Sequence, residues 1–278
     1  MKSLLRNISK KLGAYSTLSQ LQLVFKFAYN QLVNRYFNRL AIAQEKNVLS
    51  IPIIIISFNQ LTYLKQLIDY LLSSGFRNII IIDNNSTYKP LLDYFNEIKS
   101  VVAIKRLKKN YGHKVFWEVP EVYKKYAGGY YVVTDPDILP LHENAENFMN
   151  LFIKILNTNS KATKVGLSLK IDDIPNTNKN KLKIIEWETQ WWLKPLSAEL
   201  YEANIDTTFA MYRPKYHAKD GRFLSGIRTA SPYIAKHLSW YIDTDNLSKE
   251  TQFFMNSCNA SSSWRLSTDG TLKDKRYD

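Results

Sequence analysis

The sequence predicts an α/β chain built on a doubly wound, mostly parallel sheet. Three observations carry that expectation. Two runs of four isoleucines, 53–56 and 79–82, are continuous rather than alternating, the pattern of strands covered on both faces. Each run is followed by apolar residues at helical spacing, so strand and helix alternate along the chain. Polar residues stand where the strands stop, on the edge where an open parallel sheet holds its ligands.

Taken in order, residues 1–48 come first and differ in texture from the rest. They hold eight basic residues (Lys2, Arg6, Lys10, Lys11, Lys26, Arg35, Arg39, Lys46) against Glu45 alone, and so carry +7 of the net +13. Leu4, Leu5, Ile8, Leu12, Leu21, Leu23, Val24, Phe27, Leu32, Val33, Tyr36, Phe37 and Leu40 recur at roughly helical spacing. Such a basic amphipathic helix can lie on an anionic membrane surface, or it can pack on the main domain or on a second copy of the chain, and the sequence leaves both readings open. The main domain is expected over 49–256. Its first strand holds Ile53 to Ile56, and its first helix carries Leu61, Leu64, Leu67, Ile68, Leu71 and Leu72 and stops at Gly75. A strand from Asn78 to Asp83, a helix with Leu91, Leu92, Tyr94, Phe95 and Ile98, and a strand from Val101 to Lys105 follow. A helix over 112–126 and a strand from Tyr130 to Thr134 complete this half. Thr207 to Tyr212 reads as a further strand, and 257–278 as a C-terminal tail.

Several function classes drop out. No stretch approaches the ~18 apolar residues that a bilayer-crossing helix needs, and the basic start lacks a compact apolar run with a small-residue cleavage site. Cys258 is the single cysteine, so no internal disulfide forms and the chain suits a reducing compartment. The expected location is the cytoplasm, with peripheral attachment to the inner face of the cell membrane through residues 1–48 as the variant. No helix-turn-helix, zinc finger or aromatic RNA-binding motif accompanies the basic residues, so nucleic acid is not an expected partner. Zinc-protease, esterase and phosphate-loop motifs are missing as well.

The chemistry concentrates at strand ends: Ser57, Phe58 and Asn59; Asp83, Asn84, Asn85 and Ser86; Asp135, Pro136 and Asp137. Taken singly, each of these has an ordinary use as a turn former or helix cap. Asp135 and Asp137, two carboxylates one residue apart at the end of a buried strand, repel unless a cation sits with them. Magnesium or manganese would supply that charge and keep positions open for diphosphate oxygens. A phosphatase of the haloacid dehalogenase type also uses Asp-any-Asp, but normally after the first strand rather than the fourth, and a plain acidic loop is a further alternative.

Together these residues resemble the type-A glycosyltransferases, and are similar to the inverting family two of bacterial surface-polysaccharide type. The resemblance runs over about residues 50–140, through Ser57-Phe58-Asn59, Ile79 to Ser86, Arg106, Asn110-Tyr111-Gly112 and Asp135-Pro136-Asp137. It implies a nucleotide-diphosphate-sugar transferase fold in which Ser57, Phe58 and Asn59 line the base and ribose of the donor. It further implies that Asp83 contacts base or ribose and that Asp135 and Asp137 hold ribose and metal-bound diphosphate. Asn85, Arg106 and Asn110 join the donor-binding candidates. A histidine late in the chain often completes the metal shell in such enzymes, which points to His237. The usual Glu-Asp pair that supplies the base has no counterpart here. Asp206 is the first candidate for that role, because it precedes a strand expected to return to the crevice, with Asp172 and Asp173 as competitors. The expected activity is transfer of a sugar to a hydroxyl of a glycan or glycolipid acceptor, with Mn2+ or Mg2+ as cofactor and a homo-oligomer as an open option. A phosphatase or nucleotidyltransferase using the same aspartates and an inactive membrane-associated scaffold are the alternatives.

Overall fold

The computed structural model describes residues 25, 29, 32–34, 36–220, 225–259, 264–267 and 269–273. Residues 1–24, Lys26, Phe27 and Arg35, on which much of the amphipathic reading rests, lie outside the described residues, as do 260–263, 268 and 274–278 of the expected tail.

The isoleucine runs form β1 (Ile53–Ser57) and β2 (Ile79–Asp83), paired in parallel and buried throughout. Their continuity has a direct cause. Ile53, Ile55, Ile79 and Ile81 pack into one apolar layer, while Ile54, Ile56 and Ile82 pack into a second on the other face of the sheet. The first layer includes Leu64, Leu67, Ile68 and Leu71 of α2 (Thr62–Ser73) and Leu91 and Phe95 of α3 (Lys89–Ile98). It also takes in Phe148 and Phe152 of α6 (Ala145–Thr158). The second contains Val115, Phe116 and Trp117 of α4 (Val115–Glu118) and Val122 of α5 (Pro120–Tyr126).

Gly75 ends α2 as expected. At φ 91° it lets its own N–H reach Leu72 O (3.2 Å) and the Phe76 N–H reach Leu71 O (3.0 Å), closing the last turn. The single helix expected over 112–126 is instead two, because Pro120 forces Val119 to an extended conformation (φ −102°, ψ 97°). β3 (Ala103–Arg106) begins two residues later than expected and is largely exposed, and Lys105 and Arg106 guard this outer edge.

β4 (Tyr131–Thr134) pairs in parallel with β1 on the side opposite β2. The sheet continues through β9 (Ala210–Tyr212), β6 (Lys164–Leu169), β10 (Ser225–His237), β8 (Leu200–Asn204) and β7 (Pro195–Ser197), with β5 (Ile138–Pro140) paired to β10. β9 runs antiparallel to both β4 and β6, so β6 and its parallel neighbour β10 point the same way as β1 to β4. The mostly parallel α/β fold is therefore present, with one reversed strand inserted at its centre. Because β2 and β4 lie on opposite sides of β1, the chain changes direction across the sheet there, and a crevice opens beyond the carboxyl ends of β1 and β4.

The described part of the basic segment packs on this domain. In α1 (Arg39–Lys46) Ala41 and Gln44 are buried. Gln44 pairs with Tyr130 as a strand would, accepting its N–H at Oε1 (2.7 Å) and donating from Nε2 to its carbonyl (3.0 Å). Asn38 Nδ2 donates to Gly128 O (2.7 Å), and Asn34 Nδ2 to Pro214 O (3.3 Å). Phe25, Tyr29, Leu32, Phe37 and Leu40 are exposed. No helix among the described residues is long and apolar enough to cross a membrane. The tail also folds back: Asn180 Nδ2 donates to Gly270 O (2.8 Å) and Leu272 N–H to Asn180 Oδ1 (3.1 Å).

The Gln44 clasp is open to a direct test. Gln44→Ala strands two buried backbone groups and should cost about 1–3 kcal/mol in urea unfolding. A Cβ at Gly129 would sit 2.1 Å from Gln44 Oε1, so Gly129→Ala should destabilise by pushing the same side chain away. The double variant should then lose less than the sum of the two, with a coupling of about 0.5–3 kcal/mol; strict additivity would mean that the glycine does not serve the clasp.

Candidate active site

A cavity of about 430 Å³ opens where the topology requires it. Its walls come from the residues after β1 (Phe58, Gln60, Tyr63), after β2 (Asn84), after β3 (Asn110, Gly112, His113) and after β4 (Asp135, Pro136, Asp137). The turn before β9, the end of β10 and α7 (Lys181–Thr189) contribute Asp206, His237, Trp187 and Glu188. α8 (Lys249–Ser257) closes one side. Glu250 at its start accepts the N–H groups of Leu61 (2.7 Å) and Thr62 (2.9 Å) and the Thr62 hydroxyl (2.7 Å), capping α2 from across the cavity.

Of the expected donor-binding residues, Phe58, Asn110 and Asp135 line the cavity, whereas Ser57, Asn59, Asp83, Asn85 and Arg106 do not. The reason is visible in their bonds. Asp83 is fully buried at the end of β2, where it accepts the Ser86 N–H (3.2 Å) and Arg106 Nε (3.0 Å), while Arg106 Nη2 donates to Ser86 O (3.0 Å). Asn59, at φ 49°, spends its Oδ1 on the N–H groups of Thr87 (2.8 Å) and Tyr88 (3.0 Å) and its Nδ2 on Ser257 Oγ (2.9 Å). Asn85 is exposed, in a left-handed turn at φ 67°. Ser57 is buried, and its hydroxyl has no hydrogen-bond partner among the described residues. Asn84, which the sequence offered only as one of a polar run, does reach the cavity. Its amide accepts the Tyr111 N–H (3.2 Å) and donates to Gly112 O (3.1 Å), which fixes the 110–112 turn where Gly112 adopts φ 77°.

The aspartates after β4 meet the turn before β9. Thr207 Oγ1 donates to Asp135 Oδ2 (2.6 Å), and the Asp135 N–H donates to Thr207 O (2.8 Å). Burial, and then the neighbouring charge of Asp137, push the Asp135 carboxyl well above its ordinary range; the Thr207 bond opposes this and the Asp206 charge adds to it. Asp137 lies 3.4 Å from His237 Nδ1, which also meets Ser239 Oγ at 2.7 Å. The imidazole is stacked on Trp240 at 4.5 Å, and burial lowers its affinity for a proton despite the Asp137 charge. Among the described residues no cluster of three or more His, Cys, Asp or Glu side chains converges as a ready-made metal cage. What the cavity offers is the carboxylates of Asp135, Asp137 and Asp206, hard oxygen donors of the type that magnesium and manganese take together with substrate phosphates.

The three candidates for the base separate cleanly. Asp206 lines the cavity with an Oδ1 that makes no hydrogen bond among the described residues, His113 Nε2 being 3.9 Å away. The strand expected from Thr207 begins only at Ala210, since Phe209 turns left-handed (φ 34°), and this frees 206–208 to form the cavity wall. Beneath it Lys164 is buried, with Nζ 3.4 Å from Asp206 O and 3.1 Å from the Tyr212 hydroxyl; burial pulls its pKa down to about 7. Asp172 and Asp173 are exposed instead: Asp172 pairs with Lys170, and Asp173 with Lys170, Lys236 and the Tyr241 hydroxyl. Neither lines the cavity.

Sequence reasoning underrated the opposite wall. Glu188, in the aromatic stretch with Trp187 and Trp191, forms a buried ion pair with Arg228 in the cavity wall. The signal was the spacing Trp187, Glu188, Trp191, which places two rings and a carboxylate at one end of α7.

No protein-family model matches the chain, and neither does any curated protein. Solved structures with a similar arrangement include a mannosyltransferase from Pyrobaculum calidifontis in complex with GDP-Man and Mn2+, at TM-score 0.39 and 14% identity, over 68% of this chain and 56% of that one. TarS residues 1–349 from S. aureus align at TM-score 0.41 and 12% identity, over 67% and 59% of the two chains. A putative glucose-1-phosphate thymidylyltransferase from Bacillus anthracis aligns at TM-score 0.35 and 12% identity, over 62% and 78%. This chain thus spans little more than half the length of the first two.

Proposed function

We propose that this chain is a metal-dependent glycosyltransferase that moves a sugar from a nucleotide-diphosphate donor to a hydroxyl of a glycan or glycolipid acceptor, with inversion. The observation that carries the reading is the meeting of Asp135, Asp137 and Asp206 in one crevice at the switch point of the sheet, with Asp135 held far from its usual acidity. Phe58 offers the base an apolar face, and Asn84 fixes the 110–112 turn in the same wall. Asp135 and Asp137 would hold Mn2+ or Mg2+, which supplies positive charge for the departing diphosphate. His237 steadies the Asp137 carboxylate, while Thr207 fixes that of Asp135. Asp206 Oδ1, which makes no hydrogen bond among the described residues, takes the proton of the acceptor hydroxyl as the new bond forms at the anomeric carbon and the bond to the diphosphate breaks.

Two measurements test this. In metal-free buffer the raised Asp135 pKa means that the folded state holds its proton more tightly than the unfolded chain does, so stability should fall as pH rises above the ordinary carboxylate range, near ~4. Asp135→Asn should abolish that slope and melt higher at neutral pH, by about 2–4 °C for each kcal/mol of repulsion relieved. Manganese with a nucleotide diphosphate should stabilise the wild type and not this variant; equal stabilisation of both would remove Asp135 from the metal site.

For the base, Asp206→Asn should lower turnover by ~10²–10⁴-fold at saturating metal with donor affinity retained. Asp172→Asn and Asp173→Asn should leave turnover near wild type, since both carboxylates are exposed and engaged by lysines. The reverse order of effects in a donor-saturated assay would move the base to the loop after β6.

A further inference from the structure

Four of the chain's six tryptophans, Trp187, Trp191, Trp240 and Trp264, line the same cavity. Trp187 at the end of α7 and Trp191 in the turn beyond it stand four residues apart with ring centroids 6.1 Å apart, edge to face at 81°. Both are partly buried and contribute to the cavity wall. Trp240 and Trp264 meet in the same manner at 5.4 Å and 75°. So much indole in a cavity otherwise rich in carboxylates suits a ligand with apolar faces and polar edges. The axial C–H face of a pyranose ring is such a surface, and its hydroxyls are such an edge.

Two further observations narrow the ligand. Arg228 is buried in this wall, where an unpaired guanidinium would select a phosphate or a carboxylate. It is not unpaired: Nη1 is bonded to buried Glu188, Nε donates to Asn204 O (2.8 Å), and the guanidinium lies 5.7 Å from the centre of the Trp191 ring. The wall is therefore neutral as a unit. Three polar atoms of cavity-lining residues are also buried without hydrogen-bond partners among the described residues: Trp240 Nε1, Thr208 Oγ1 and Asp206 Oδ1. They amount to a donor, a donor-acceptor and an acceptor, the mixture that sugar hydroxyls satisfy. Asn204, which anchors Arg228, is two residues from Asp206, and Trp187, Trp191 and the carboxylate proposed as base line one cavity.

We infer that the tryptophan wall built on Trp187, Trp191 and the neutral Glu188–Arg228 pair is a binding subsite for uncharged pyranose units of the acceptor. Only the word acceptor rests on the transferase reading; saccharide binding at this wall is a claim in its own right.

The test is calorimetric titration of the full chain with cellobiose, maltose and mannobiose, without nucleotide or metal. At least one should bind saturably. Trp187→Ala and Trp191→Ala should weaken it by about tenfold or more, while Trp191→Phe, which keeps an aromatic face, should retain most of the affinity and serves as the folding control. Glucuronic acid and glucose 6-phosphate should bind more weakly than the neutral sugars. Binding of no neutral disaccharide, alanine variants that bind like the wild type, or tighter binding of the charged sugars would each overturn the inference. Parallel titrations with UDP, GDP and manganese keep the two claims apart: disaccharide binding without nucleotide binding retires the donor reading alone, and nucleotide binding without disaccharide binding retires the tryptophan subsite alone.

Discussion

A carboxylate sealed inside a protein is costly unless its oxygens are filled, and the frame of this fold is organised around meeting that demand at Asp83. The side chain ends β2, and its oxygens draw in the backbone of the 84–86 turn and the guanidinium of Arg106 at the end of β3. Ser86, fixed in this way, receives the Asn59 N–H on its hydroxyl (2.9 Å), and Asn59 in turn holds the start of α3 and the end of α8. Three strand ends and two helices are thereby tied at one knot whose members satisfy one another. The crevice lies beside that knot, and Phe58 and Asn84 lead from it into the cavity wall.

The contrast with Asp135 is the chemical centre of the molecule. The two aspartates end strands on either side of β1, yet only Asp83 has an arginine. Asp135 has a threonine hydroxyl on one oxygen and two more carboxylates nearby. A buried negative charge answered within the chain is structural. One left unanswered shows its cost in the raised affinity of the Asp135 carboxyl for a proton.

That difference also sets how far the sequence could be read. The isoleucine runs gave away β1 and β2 because burial on both faces leaves no other economical composition, and Gly75 marked a helix end because its conformation suits few other residues. The strand ends were visible as polar clusters too. Whether a given polar residue faced the cavity or the frame was not visible, since that depends on side-chain direction within a turn: Asp83 and Asn84 are adjacent and serve opposite purposes. The same holds for Asp172 and Asp173 against Asp206. All follow or precede apolar strands, and only the insertion of reversed β9 between β4 and β6 brings Asp206 beside Asp135. Contacts between segments far apart in the chain, such as Glu188 with Arg228, leave no local pattern at all.

The bond from Glu250 to Leu61 joins residues 189 positions apart, so the side of the crevice formed by α8 is drawn from near the opposite end of the domain to the strands that open it. Contacts of such long range are paid for in loop entropy and are among the last to form. In a chain made from its N-terminus, the parallel core of β1 to β4 can assemble while the crevice still lacks a wall. Competence to hold a ligand therefore depends on α8 as well as on the sheet, and a cut between β10 and α8 would take Glu250, Phe254 and Met255 out of the cavity wall.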